Sequence, residues 1–210
     1  MTERAARLTR FSLVAAPVLI VVYGSVRLLV DGAKEPGTAW AAGHFAFLFA
    51  VLLFGVACEG LRRTVAASGG PARRRMAGAG TVAGLVGTTA AAAQAVIDLY
   101  AGFRAADKPE MREIFAQVQG VPGVMPAVYT VGPLFLYLGM ITLLATVRGP
   151  GSVRSLLLFV LGTAAIATNL DLMPLGGLCY LLAFAPLRRR VPTPPGTGTA
   201  SPVATGSRPA

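Results

Sequence analysis

Residues 153–187 read VRSLLLFVLGTAAIATNLDLMPLGGLCYLLAFAPL. About 20 apolar residues carry one helix across the hydrocarbon of a bilayer, and this run is longer than a single crossing can use. Its polar centre, Thr168-Asn169-Leu170-Asp171, is followed by Pro174, which has no N–H to give to a continuing helix. The run therefore divides into a span near 153–170 and a short one near 173–187, which a thinned bilayer would accommodate. Upstream lie four more apolar stretches, near 11–30, 41–59, 76–98 and 124–147. The sixth crossing returns the chain to its starting side. A five-span chain with a re-entrant last segment is the competing reading.

Composition agrees. The chain of 210 residues is 54% hydrophobic, has a mean hydropathy of +0.65 and is only 13% charged, about half the usual soluble share. Too few charges remain to cover a water-facing surface over so many apolar runs. The net charge of +10 would suggest nucleic acid in a soluble domain, but the cations sit at the ends of apolar segments and no nucleic-acid motif accompanies them. The expected partners are membrane lipids and not nucleic acid.

The cations also alternate by side. Arg4, Arg7, Arg10, Arg62, Arg63, Arg73, Arg74, Arg75, Arg148, Arg154, Arg188, Arg189, Arg190 and Arg208 fall on one side, fourteen against the four of Lys34, Arg104, Lys108 and Arg112. The positive-inside rule places the first set, and both termini, in the cytoplasm. Seven of the nine acids fall in or beside the opposite, outer loops. The first apolar stretch has signal-peptide character but no small-x-small cleavage site, so an uncleaved first helix is expected. The Ala, Gly, Arg and Pro usage suggests a high-GC bacterial genome, and thus a bacterial plasma membrane. The expected fold is all-α: a polytopic six-transmembrane helix bundle over residues 1–190, with a disordered cytoplasmic tail over 191–210, rich in Pro, Gly, Ser and Thr. Loop 64–75 reads as small, flexible and basic.

The connection 98–123, DLYAGFRAADKPEMREIFAQVQGVPG, has internal design. Asp107 and Glu110 have capping-box spacing and Pro109 suits a first turn. Met111, Ile114, Phe115 and Val118 share one helical face. Gly120 and Pro122 end the pattern. The spacing predicts a short extracellular amphipathic helix over 108–119, between spans three and four, lying on the membrane surface or capping the bundle.

Span three, MAGAGTVAGLVGTTAAAAQAVID, has almost no side-chain bulk. Gly80 and Gly84 form a GxxxG step that Thr88 continues, which permits close helix approach. The reading is a buried central helix, with a homodimer through this face as the alternative. In span four, Pro133 removes one backbone hydrogen bond and predicts a kink.

Polar residues inside spans are expensive and mark candidate sites. Arg27, His44, Gln94, Asp98, Asn169 and Asp171 all fall at similar outer depth. As a site, Arg27 would bind an anion or pair with Asp98, His44 would exchange a proton, and Gln94 and Asn169 would orient a substrate or water. As plain structure, Arg27 pairs with Asp31 four residues on, His44 bonds a neighbour, and Trp40, Tyr100 and Tyr129 form an aromatic belt. Glu59 with Arg62 and Arg63 reads as a local salt bridge at the other side. Cys58 and Cys179 read as small hydrophobes.

No metal-ligand, phosphate-loop or serine-nucleophile motif is present. A single His cannot supply both axial ligands of a haem. No cofactor and no metal are expected. The leading functional expectation is a non-enzymatic role in assembly, scaffolding or lipid contact. The alternatives are a small-molecule or ion transporter or sensor using the outer polar cluster, and a membrane enzyme acting on a lipid headgroup. They differ in geometry. A transporter needs a cavity reaching past His44 toward Pro133. An enzyme needs two of His44, Asp98 and Asp171 on one cavity. A scaffold scatters them.

Overall fold

The computed structural model describes residues 2–191. Among these residues the chain forms seven α-helices, one π-helical turn and one 3-10 turn, and no strand. The helices are α1 (Glu3–Leu29), α2 (Thr38–Ser68), α3 (Pro71–Arg104), α4 (Lys108–Gln119), α5 (Val131–Thr146), α6 (Ser152–Thr168) and α7 (Met173–Arg188). The π turn, Met125–Thr130, leads into α5, and the 3-10 turn, Leu170–Leu172, into α7. Five stretches are long and apolar enough to cross a membrane: α1, α2, α3, Met125–Thr146 and Leu170–Arg188. Helix α6 is apolar but shorter, at 17 residues. Large side chains such as Phe11, Phe49, Leu85, Leu138 and Leu161 stand exposed around the outside, as lipid-facing residues do. These features point to a membrane protein.

The long helices form a ring. Helix α3 packs on α5 and α2, α2 on α1, α1 on α7, and α7 on α6; only sparse contacts between α6 and α5 close it. Lipid tails are as apolar as the side chains, so close backbone approach and shape carry helix association. Along α3–α5 the approach is extreme. A Cβ built on Gly87 would fall on the Leu136 backbone, and one on Gly139 on the backbone of Gly80 and Gly84. The Gly80/Gly84 step is thus spent within the chain, with Gly84 also facing the Cys58 sulfur. Thr88 continues that face, buried against Gly55, and its hydroxyl makes no hydrogen bond. Gly162 and Gly176 play the same part between α6 and α7.

Two expectations change. The segment 64–75 is not a loop. Helix α2 continues to Ser68 and α3 starts at Pro71, leaving only Gly69 and Gly70 between them. Pro71 suits a first turn, and Arg73 and Arg74 reach back to the carbonyls of Ser68 (3.5 Å) and Gly69 (2.7 Å) at the end of α2. The basic residues cap a helix where a flexible loop was expected. The ordered bundle also includes Val191, 3% exposed, whose carbonyl accepts a hydrogen bond from Arg10. The remainder of the expected tail, 192–210, lies outside the described residues.

The expected disturbance at Pro133 takes the form of the π turn just before it. The proline ring crowds the carbonyls of the preceding turn, and the backbone widens: the Val131 N–H bonds the Pro126 carbonyl, five residues back. A Cβ on Gly132 would strike the Ala127 carbonyl, so glycine is needed beside the wide turn. Helix α4 occupies the range its spacing predicts. Asp107 accepts from the Glu110 N–H at 2.9 Å, Glu110 accepts from the Ala106 N–H at 2.6 Å, and Gly120 caps the end. Met111 is buried, and Ile114 and Phe115 pack with Trp40 beside it. The helix therefore docks on the bundle through α2 and α3. Its end of the bundle is called the α4 end below, and the opposite one the arginine end.

Candidate functional site

A cavity of about 480 Å³ lies inside the ring, and all six long helices contribute to its wall. Its deep part is aromatic. Phe54 and Phe159 meet Tyr180, the first edge-on at 5.8 Å and the second stacked at 4.5 Å. The Tyr180 hydroxyl bonds Thr163 at 3.0 Å. Toward the α4 end the wall becomes polar: Gln94 and Asp98 of α3, Tyr129 and Thr130 of the π turn, and Thr168 and Asn169 at the end of α6. Thr130, Thr168 and Asn169 are exposed and form the mouth.

Among the described residues Asp98 is the only acid on this wall, and no Lys, Arg or His lines it. It is 9% exposed. Gln94 lies one helical turn before it, so both side chains point the same way; neither makes a hydrogen bond to a described residue. The Tyr129 hydroxyl is also shielded, and Gln119 stands beside it outside good hydrogen-bond geometry. Three polar side chains with spare hydrogen-bonding capacity thus converge on one end of an apolar chamber. Buried polar groups are nearly always bonded; Asp98 is buried, the Tyr129 hydroxyl is shielded and Gln94 is half-buried, so this convergence is the feature of the site that suits a ligand or water.

Behind Asp98 stands a built support. His44 is 5% exposed, and its Nε2 lies 3.7 Å from an Asp98 carboxylate oxygen. Its Nδ1 donates to the Trp40 carbonyl at 2.8 Å. The Trp40 ring stacks on the imidazole at 4.0 Å and donates its own N–H to the Asp98 carbonyl at 2.9 Å. Tyr23 meets the imidazole edge-on at 5.3 Å and also faces the cavity. A Cβ on Gly102 would strike the Trp40 indole, so that glycine opens the slot the ring occupies.

The six residues expected to gather form two groups. His44, Asp98 and Gln94 belong to the cavity and its support. Arg27 pairs with Asp171 at 3.3 Å, and not with either expected partner, Asp98 or Asp31. Helix α1 ends at Leu29, so Asp31 leaves the helical register that four-residue spacing assumes. Lys34 lies 3.7 Å from the same Asp171 oxygen, making a half-exposed triad. Asn169 joins the groups: it lines the cavity, and its side chain accepts the Asp171 N–H at 2.8 Å. At the arginine end Glu59 holds Arg62 and Arg63, each at 2.6 Å, as spacing suggests.

The aromatic residues were underread. Tyr100 is 53% exposed and suits a belt, but Trp40, Tyr23 and Tyr129 belong to the site. Their positions in sequence share only depth, and rotational phase was invisible in helices apolar on every side. No three metal-binding side chains gather among the described residues. Comparison with known protein families, curated proteins and solved structures finds no match, and the chemistry of the cavity carries the functional reading.

Proposed function

We propose that this is a six-span protein of a bacterial plasma membrane that binds a small molecule inside its bundle, as a transporter or sensor does. The carrying observation is the cavity inside the bundle, with the Gln94 and Asp98 side chains and the shielded Tyr129 hydroxyl gathered at one end. Helices built only to pack would fill such a space, because interiors approach crystalline density. The chamber reaches from Asp98 past Pro133 to Phe54 and Tyr180, the depth a transport route needs. An enzyme acting on headgroups is less well supported: of His44, Asp98 and Asp171, Asp98 alone lines the wall.

In this reading α6 is the remaining crossing. Its 17 residues span about 25 Å at 1.5 Å per residue, close to a thin bilayer. Six crossings and the arginine asymmetry together support cytoplasmic termini, with α4 and the mouth outside.

Native mass spectrometry of the full chain, released from its own membrane in mild detergent, tests the binding. A discrete adduct is expected in the wild type and in Glu59→Gln, and lost in Asp98→Asn and in Ala91→Leu, which intrudes on the cavity. Bulk phospholipid alone, indifferent to all three substitutions, would return the protein to a packing or assembly role.

A further inference from the structure

The ligand class follows from what the cavity wall holds and omits, and this step rests on the binding role proposed above. One carboxyl lines the wall, and among the described residues no Lys, Arg or His does. The Arg27 guanidinium stands behind Tyr23, off the wall, and Asp171 holds it. An anionic head would meet Asp98 with nothing to offset it, and a charge in an apolar space needs a partner. A cation would find one. It would also find the rings of Tyr23, Phe47, Tyr129 and Tyr137 on the same wall, and aromatic faces attract cations. The deeper Phe54, Phe159 and Tyr180 suit an apolar body.

The second observation is the state of the His44–Asp98 pair. A carbonyl only accepts, so the Nδ1 contact with Trp40 requires a proton on Nδ1. Nε2 then faces the carboxyl of Asp98 at 3.7 Å. With neutral imidazole and ionised carboxylate, two lone-pair-bearing atoms would oppose each other. One further proton, on either Nε2 or the carboxyl, removes the conflict and leaves the pair with no net charge. The other groups around the pair are Tyr23 and Arg27 from α1, Tyr129 from the π turn, and Gln94 on its own helix. Arg27 is the one fixed charge among them, and Asp171 meets it.

The third observation is access. Helices α5 and α6 close the ring sparsely, and Leu134 of α5, which lines the cavity, is 54% exposed.

We propose that the cavity takes a lipophilic cation, an amine or quaternary ammonium on an apolar body, which reaches it from the bilayer between α5 and α6 and displaces the one extra proton that the Asp98–His44 pair holds. Charge balances: the cation arrives beside the ionised Asp98, His44 remains neutral with its Nδ1 proton on Trp40, and one proton leaves through the Thr130–Asn169 mouth to water.

The test uses the full chain in detergent with two probes of equal shape, benzyltrimethylammonium and its uncharged carbon isostere neopentylbenzene. Titration calorimetry in buffers of different ionisation enthalpy reads affinity and proton release together. Expected is at least tenfold tighter binding of the cation, affinity rising toward tenfold per pH unit where the pair holds its proton, and about one proton released. Asp98→Asn should remove the preference and the release. If that variant fails to fold, the wild-type pH profile decides alone, because a structural carboxyl would not produce it. Equal affinity for both probes with no pH dependence would overturn the cation while leaving a binding cavity. Failure of both probes beside a persistent Ala91→Leu-sensitive adduct would overturn it too. Failure of both with no adduct would remove the binding role as well.

Discussion

The two sides of α5 are built on opposite principles. Toward α3, Gly132, Leu136 and Gly139 are buried, and glycines bring backbone against backbone. Toward α6, Pro133, Leu134 and Tyr137 stand around open space. The same helix thus seals one seam and leaves the other thin. Small residues matched across two helices close a seam in a membrane, where no hydrophobic drive between helices substitutes for fit. Large residues facing a proline-widened turn leave a chamber.

The sharpest way to break that contrast is to place matched bulk on both seams. Gly87→Val puts a branched side chain where even a Cβ meets the Leu136 backbone. Neither helix can yield without losing the whole α3–α5 contact, and overpacking of this kind costs about 3 kcal/mol or more. Ala167→Val creates the same side chain on the other seam, adding two carbons where Gly87→Val adds three, at an exposed position beside the cavity, and should change stability by no more than about 0.5 kcal/mol. Thermal unfolding followed by fluorescence-detected size exclusion separates them. Comparable losses in the two variants would mean that both seams are tight.

Why some of this was legible in sequence, and some not, has a physical basis. Helix α4 was readable to its ends because its polar and apolar faces alternate and its caps are side-chain groups. The polar break and Pro174 marked the turn into α7 for the same reason. The spans offered no such contrast. Gly80 and Gly84 announced a close approach but not its partner, which lies on α5 through Gly139. His44 and Asp98 could be placed at one depth, yet their pairing depends on the rotation of two helices whose faces are all apolar. Arg27 misled because four-residue spacing presumes a helix that persists to Asp31, and α1 stops short of it.

A smaller effect sharpens the nature of the open side. Ala91 is 3% exposed and lines the cavity. Ala91→Leu adds apolar volume into space that already exists, and cavity filling typically contributes about 0.5–2 kcal/mol. In protein freed of ligand the melting temperature should therefore rise or hold. A fall of several degrees would show that the chamber collapses in solution and that α5–α6 is as closed as α3–α5.

The smallest expected effect concerns the half-exposed triad at the mouth. Arg27 and Asp171 are 3.3 Å apart with side chains 27% and 41% exposed, and such pairs contribute about 0–1 kcal/mol. Lys34 remains at 3.7 Å from the same carboxylate, and the Asn169 side chain fixes the Asp171 backbone independently. Arg27→Gln should thus leave the melting temperature almost unchanged, with the small difference fading as salt is raised. It should also leave the bound adduct in place, since Arg27 does not line the chamber. The comparison with Asp98→Asn is what gives the weak effect its value. Both remove one charge at similar depth, but only Asp98 faces the cavity with its hydrogen-bonding capacity unspent. If Arg27→Gln abolished the adduct as well, the triad and the His44–Asp98 pair would be one site, and a ligand carrying both an anionic and a cationic group would have to replace the simple cation.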